Sequence, residues 1–398
     1  MQRYIHVWLM LFSGWVIIYL IRVSLSPILP TLIGELSLTH GDAGLLANAY
    51  FYAYTAMQFP AGYLGERLGR KRILVVACVF WAVTSYWTSI ARGFAELFAA
   101  RLASGIVHGF YFGNDRPLVT VVTPRKRLGV GQGVTFSGLG TGLGVGMVLS
   151  GWISELMGWR AVFQILAIPP LIMAAIFALF LQEPTRIGSE TAEVNRRALL
   201  TRRELWLFYI GGIPMVYALW VAAIWMPTIL TEYGVESVSF SSLISSLVGL
   251  AGIPGLMVAG LISDWAWKHG VARGYVAASF AALAALTAAT LGYAITIKTP
   301  LHQITLLVAA LGAFIWAVWP PLFAALSHHV EERMLGTAFG MMNGIHFIGS
   351  LISPYLTGMI RDATGTFSWG LYLTATLTTI TIAAFSLEAR TETRKHTL

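Results

Sequence analysis

Twelve apolar runs follow one another along this chain, each long enough to cross about 30 Å of hydrocarbon at roughly 20 residues per crossing. They cover approximately 6–33, 42–65, 73–92, 95–122, 129–154, 160–182, 204–230, 239–263, 274–296, 302–327, 335–360 and 367–388. The runs are too long for barrel strands and lack strict alternation, so each reads as a helix that satisfies its own backbone hydrogen bonds. Apolar residues make up 57% of the chain, charged residues 11%, and mean hydropathy is +0.71. A soluble domain typically carries about twice that charge, so most of this surface faces hydrocarbon. The expected fold is an all-α integral membrane protein of twelve transmembrane helices. The first run contains Arg22, Pro27 and Pro30 with no small-residue cleavage site, so it reads as an uncleaved helix and not a leader. A single cysteine, Cys78, excludes an intramolecular disulfide.

The formal charge of +8 sits in short clusters between the apolar runs, which is the positive-inside pattern and requires no nucleic-acid partner. With both termini cytoplasmic, 19 of the 26 Lys and Arg fall on that side. Four fall opposite (Arg92, Arg160, Lys298 and Arg361), and Arg22, Arg101 and Arg116 lie inside helices. The expected location is a bacterial inner, or plasma, membrane. The longest polar stretch, 183–203, reads as a cytoplasmic linker between a bundle over 1–182 and a bundle over 204–398.

Between runs two and three lies Gly62-Tyr63-Leu64-Gly65-Glu66-Arg67-Leu68-Gly69-Arg70-Lys71-Arg72, with one acid, four bases and three glycines in eleven positions. Such charge density belongs in a short loop at a membrane surface. An echo, Gly260-Leu261-Ile262-Ser263-Asp264-Trp265, begins 198 residues later and points to two similar six-helix bundles. The first stretch resembles the G-x-L-x-D-R-x-G-R-K/R loop of the major facilitator superfamily, and the echo resembles its counterpart between helices 8 and 9. Arg101-Leu102-Ala103-Ser104-Gly105 is similar to the family's R-x-x-x-G motif in helix 4. The resemblance covers the whole chain. It implies a secondary transporter in which helices 1, 4, 7 and 10 line a cavity that opens alternately to each side. It also implies a latch built from Gly62, Glu66, Arg67, Gly69, Arg70 and Asp264, with Glu66 in the place where the family usually has Asp. In the family that carboxylate meets the start of helix 11, here near Leu335-Gly336-Thr337. Free N–H groups there favour an anion by about 0.3–2 kcal/mol. A merely topogenic loop explains the bases but not the acid and glycines.

Arg22 lies near the middle of helix 1, where an arginine costs about 2.5 kcal/mol or more unless it meets water, a partner or a ligand. Trp15, Tyr19 and Ser26 share its face at i−7, i−3 and i+4. Tyr19 to Ser26 resembles helix 1 of the anion:cation symporter branch, where an Arg in a D-R-V-x-L-S phrase helps bind organic anions. Ile21 takes the position of that phrase's acid. A structural arginine paired with Asp115 or with helix carbonyls is the competing reading.

In helix 4, Arg101, His108 and Asp115 recur every seven residues and so lie on one face, flanked by Ser104, Tyr111 and Phe112. Asp115 is the only acid placed well inside a helix, with Arg22 or Arg116 as its pairing partner. Asp115 and His108 are the candidate proton carriers. Asp115 has an alternative place in the latch, and Arg101 an alternative task in bracing helices 1 and 4.

The second half offers aromatics and amides: Tyr217, Trp220 and Trp225 between Pro214 and Pro227, Trp316 and Trp319 before Pro320-Pro321, Asn343 with His346, and the serines of helix 8. The prolines are expected to break helix 7. Substrate contacts are assigned to Arg22, Tyr19, Ser26, Tyr111, Tyr217, Trp220, Trp316 and Asn343, with the anionic head group toward the first half. Helix 5 carries Gly138, Gly140, Gly142, Gly144 and Gly146, which permit close helix contact. No proline follows them as in the helix-5 pattern of drug–proton antiporters. No nucleotide loop, metal cluster or nucleophile–base pair stands out, so no cofactor or metal is expected and an enzyme is disfavoured. The reading is a monomeric secondary transporter taking up a small organic anion, such as a carboxylate, with protons. Its rivals are proton-coupled efflux of an amphipathic drug or siderophore-like compound, and a non-transporting receptor or scaffold.

Overall fold

The computed structural model describes residues 3–124, 128–182, 196–330 and 334–397, and all regular structure among them is helical. The helices form twelve rods. Helix 1 is Arg3–Val23 continued by Leu25–Leu36, helix 2 His40–Leu68, helix 3 Arg70–Ile90 and helix 4 Phe94–Val122. Helix 5 is Leu128–Met157, helix 6 Trp159–Leu166 with Ile168–Phe180, and helix 7 Arg203–Gly211 with Ile213–Glu232. Helix 8 is Val238–Leu250 with Gly252–Lys268, helix 9 Arg273–Thr296, and helix 10 Leu301–Ala317 with Trp319–His329. Helix 11 is Leu335–His346 with Ile348–Thr364, and helix 12 Ser368–Thr397. A short helix, Arg196–Thr201, precedes helix 7. Among the described residues, nine of the rods are long and apolar enough to cross a membrane.

Six rods are divided by a single residue: Ser24, Ala167, Gly212, Ala251, Val318 and Phe347. Ser24 (φ −59°, ψ −23°) and Val318 (φ −68°, ψ −31°) keep helical dihedrals, as do the other four, so these are kinks and not ends. At five of the six a proline follows within three residues (Pro27, Pro169, Pro214, Pro254, Pro320). A proline lacks the N–H that would close the turn, and its ring crowds the carbonyl four residues back. At Phe347 the carbonyl instead accepts a bond from Ser350 Oγ, 2.6 Å away. Helix 7 therefore breaks ahead of Pro214 but runs unbroken through Pro227, against expectation.

Three further expectations need correction. The joint expected over Gly62–Arg72 is helical at every residue except Gly69, whose φ of 94° turns the chain in one step. Helix 8 runs on to Lys268, which puts Asp264 inside a helix. Helix 12 continues to Thr397, so Asp115 is not the only acid within a helix. Glu388 is buried there, with its Oε1 3.4 Å from His329 Nε2.

The chain divides into two compact units, Met1–Ser189 with Met226–Ser246, and Glu190–Trp225 with Leu247–Leu398. In the first, helix 1 packs on helix 5, helix 2 on helix 4 and helix 3 on helix 6. In the second the pairing recurs six helices later, as 7 on 11, 8 on 10 and 9 on 12. The 226–246 segment is tied into the first unit by His40 Nε2 to Glu232 Oε1 at 2.9 Å. Glu155 Oε2 adds bonds from the Ser239 N–H at 2.7 Å and Ser237 Oγ at 3.0 Å.

Glycines set the two close packings that matter for the site. On helix 5, a Cβ at Gly138 would lie 2.6 Å from the Phe12 carbonyl oxygen, one at Gly142 2.5 Å from that of Val16, and one at Gly146 2.7 Å from Leu20 Cα. The four-residue spacing on both helices makes one continuous backbone contact. Helix 4 uses Gly105 against the Tyr50 carbonyl and Gly109 against Met57, which brings helix 2 equally close.

Candidate functional site

In the first unit these packings converge on Arg22, which stands on the last turn before the Ser24 kink and is buried. Its guanidinium carbon lies 4.4 Å from the Tyr19 ring centroid, 4.5 Å from that of Tyr54 and 4.8 Å from that of Tyr50. Tyr19 comes from one turn earlier on helix 1. Tyr50 and Tyr54 come from helix 2, one turn apart, and are held there by Gly105 and Gly109 of helix 4. Aromatic faces attract a cation by about 0.5–2 kcal/mol each, more when desolvated.

Tyr50 is the junction of the cluster and is fully buried. Its hydroxyl accepts a bond from Arg22 Nε at 2.9 Å and is 2.8 Å from His108 Nδ1. Arg101 places its guanidinium carbon 5.2 Å from the Tyr50 ring and donates from Nη2 to the Arg22 carbonyl at 3.2 Å. Arg101 thus touches both helix 1 and the cluster. Trp81 of helix 3 closes the far side, edge-on to His108 at 5.0 Å.

The helix-4 stripe divides between two neighbours. Arg101 and His108 face Tyr50, whereas Asp115 faces helix 1 lower down. Asp115 Oδ2 accepts from Trp15 Nε1 at 2.6 Å and from Arg116 Nε at 2.9 Å. Of the two bases expected to pair with Asp115, Arg116 forms the ion pair. Tyr111 lies between the two groups, and its hydroxyl donates to the Leu11 carbonyl at 2.8 Å where Gly14 leaves room. Ser104 and Ser26 are buried, and Ser24 Oγ joins Ser150 Oγ of helix 5 at 2.8 Å.

In the second unit two of the expected contact residues, Tyr217 and Trp316, have hydrogen-bond partners. Tyr217 Oη is 3.3 Å from Thr357 Oγ1, and Trp220 is buried. Trp316 donates to the Val248 carbonyl at 3.0 Å across Gly252, tying helix 10 to helix 8. Trp225 donates to the Pro354 carbonyl at 3.0 Å, tying helix 7 to helix 11. Asn343 is half-buried, and His346 Nε2 is 2.9 Å from the Phe208 carbonyl oxygen. The serines of helix 8 bond back to carbonyls of their own helix.

Of the expected latch, Arg67 lies over the Tyr63 ring at 4.4 Å, Gly69 makes the turn, and Arg70 is half-buried. Asp264 Oδ1 accepts from Arg273 Nη1 at 2.8 Å, and the same nitrogen donates to Ser263 Oγ at 2.8 Å. The surroundings of Gly62 and Gly336, and the side chains of Glu66, Phe112 and Leu335, lie outside what is described. Among the described residues no group of three His, Cys, Asp or Glu forms a metal site.

Sequence reasoning missed Tyr50, Tyr54 and Trp81. The available signals were the i, i+4 spacing of the two tyrosines and the Arg101-x-x-x-Gly105 motif, whose glycine receives the Tyr50 carbonyl.

Comparison with known proteins gives the same frame. The family model described as Major Facilitator Superfamily matches residues 11–354. A hexuronate transporter of Bacillus subtilis is 27% identical over 381 residues, covering 92% of this chain and 90% of the relative. A probable sulfoacetate transporter of Cupriavidus necator is 27% identical over 382 residues, covering 88% and 86%. A D-galactonate transporter of Escherichia coli is 23% identical, covering 92% and 90%. Among solved structures, a bacterial homolog of the human lysosomal transporter Spinster superposes with a TM-score of 0.85 at 16% identity, covering 98% of this chain and 97% of that one. A D-xylose–proton symporter gives a TM-score of 0.77 at 16% identity, covering 97% of each chain.

Proposed function

Because the chain belongs to the Major Facilitator Superfamily, a family of multi-pass membrane transporters and not of enzymes, we propose that it takes up a small organic anion by alternating access, in symport with protons. The observation that carries this reading is the Arg22 guanidinium, buried in membrane-spanning helices and held by three tyrosine faces. Tyrosine faces stabilise a cation while leaving its charge in place for an incoming anion. The relatives named for hexuronate, sulfoacetate and D-galactonate all carry organic acids, which are anions at neutral pH.

In this reading Arg22 anchors the head group with Tyr19, Ser26 and Tyr111 of the first unit, and Tyr217, Trp220, Trp316 and Asn343 are the contacts proposed for the second. His108 or Asp115 carries the proton. The proposed bundles are 1–182 and 204–398 in a bacterial inner membrane, with both termini cytoplasmic, and most of the linker expected at 183–203 lies outside the described residues. Gly62, Glu66, Arg67, Gly69, Arg70 and Asp264 form the latch.

The test is uptake of glucuronate, galactonate and sulfoacetate by the purified protein in proteoliposomes. Losing a buried bidentate contact to an anion is worth on the order of 3 kcal/mol, so Arg22→Ala should lower uptake about 100-fold in protein that remains monodisperse. Arg22→Lys should retain an intermediate rate, since it keeps the charge without the planar fork. Wild-type uptake by Arg22→Ala would refute the site.

A further inference from the structure

We infer that Tyr50 is a positioning residue that makes anion binding at Arg22 and protonation of His108 depend on one another. The inference rests on reading Arg22 as the anion anchor.

A tyrosine hydroxyl has one proton to donate and two lone pairs with which to accept. One lone pair of Tyr50 is taken by Arg22 Nε–H at 2.9 Å, and arginine donates only. Were the second lone pair to accept from His108 Nδ1, 2.8 Å away, the hydroxyl proton would have no acceptor in the cluster, so we direct that proton at Nδ1 and take it as the lone-pair nitrogen of a neutral ring. This tautomer is assigned from the Nδ1 contact alone; it puts the ring proton on Nε2, which is buried with no hydrogen-bond partner among the described residues. The groups facing His108 are Arg22 from helix 1, Tyr50 from helix 2, the uncharged Trp81 from helix 3, and Arg101 from its own helix.

A proton arriving at Nδ1 turns that nitrogen into a donor. The Tyr50 oxygen then accepts from both Arg22 and His108, and its own proton needs a new acceptor inside a buried cluster. A carboxylate or sulfonate engaged by the Arg22 fork supplies that acceptor. Protonated His108 without an anion leaves a buried donor unmade. An anion beside neutral His108 misses one donor, because the Tyr50 proton is spent on the imidazole. Each event therefore favours the other, and by linkage the factor is the same in both directions. An unmade buried hydrogen bond corresponds to roughly a ten- to hundred-fold change in affinity. The one bond formed is the Nδ1–H bond, with its proton given up by hydronium in the solvent, and the tyrosine hydroxyl keeps its own proton and only re-aims it.

The experiment measures KM for whichever of glucuronate, galactonate or sulfoacetate the wild type moves, in proteoliposomes across pH 5 to 8. The wild-type KM should fall about ten-fold or more as pH is lowered. Tyr50→Phe keeps the ring beside Arg22 and removes the hydroxyl. Its KM, at whatever level the lost Arg22 bond sets, should stay flat with pH. His108→Gln offers Tyr50 an acceptor that does not titrate, and its KM should be equally flat, which keeps the test open if Tyr50→Phe aggregates. A pH-dependent KM surviving in either variant, or a flat KM in the wild type, overturns the coupling. Those results leave the anion reading standing, because that reading falls only if Arg22→Ala transports normally.

Discussion

The close contact between helices 1 and 5 is predicted to fix the position of Arg22, and Gly142→Ala tests this with an internal control. A Cβ at residue 142 would lie 2.8 Å from Tyr19 Cβ and 2.5 Å from the Val16 carbonyl oxygen. Carbon atoms in ordinary contact are about 3.5–4.0 Å apart, so helix 1 must retreat by roughly 1 Å. Overpacking of this kind costs about 1–3 kcal/mol, against about 0.8–1.0 kcal/mol gained when alanine replaces glycine within a helix. Gly133 lies on the same helix with nothing within 4 Å of its Cβ position, so Gly133→Ala receives the propensity gain alone. The two variants should differ by about 1–3 kcal/mol in stability, with Gly133→Ala melting at or above the wild type and Gly142→Ala below it. Tyr19 and Arg22 ride on the displaced face, and a shift of about 1 Å in a binding group costs on the order of 100-fold. Anion uptake should therefore fall steeply in Gly142→Ala and hold in Gly133→Ala. Thermal melting in detergent and proteoliposome uptake read the two effects separately. Equal melting and uptake in both alanine variants would refute the argument.

Two smaller predictions follow from contacts near the rod ends. Glu155→Gln weakens the carboxylate that accepts from the Ser239 N–H and Ser237 Oγ at the start of helix 8, so amide exchange should quicken at residues 237–242 and stay unchanged in helix 9. Asp264→Asn removes a pair whose carboxylate is 65% exposed, worth less than about 1 kcal/mol after solvent screening, so melting should not move measurably.

The helices were readable from sequence because hydrocarbon imposes one solution on a long apolar run, whereas of the kinks only the one ahead of Pro214 was expected. The ends were less readable. Helix 12 looks finished at Glu388 when judged by apolarity, yet its backbone continues through charged residues to Thr397. Arg22, Arg101 and His108 stood out because each is costly in lipid. Tyr50 and Tyr54 did not, because they sit in the run Tyr50-Phe51-Tyr52-Ala53-Tyr54, where every position is apolar or aromatic and no periodic contrast marks a face. Their relation to Arg22 depends on which helices pair, and the clue lay on other helices, in Gly105 and Gly109. The Asp115–Arg116 pair was ambiguous for a different reason. Adjacent residues point to different faces of a helix, and only the length of the arginine side chain lets it fold back.

The energetics of Arg22 explain why tyrosines surround it. An arginine at the centre of a membrane helix costs about 2.5–3.5 kcal/mol on insertion scales. Three ring faces at 4.4–4.8 Å, at about 0.5–2 kcal/mol each, together with the bond to Tyr50, offset a cost of that size. An acid would offset it as well, as Arg116 and Trp15 together do for Asp115 in the same unit. If Arg22 binds the anion as proposed, an acid would cancel the field that the anion has to feel, and transport would then have to break an ion pair in every cycle. A tyrosine face can be displaced for little more than its own cation–π energy, and its hydroxyl can turn from one acceptor to another. Among the described residues Asp115 is thus paired with a base while Arg22 is set among rings, and in the proposed function the second is the charge that an anion meets.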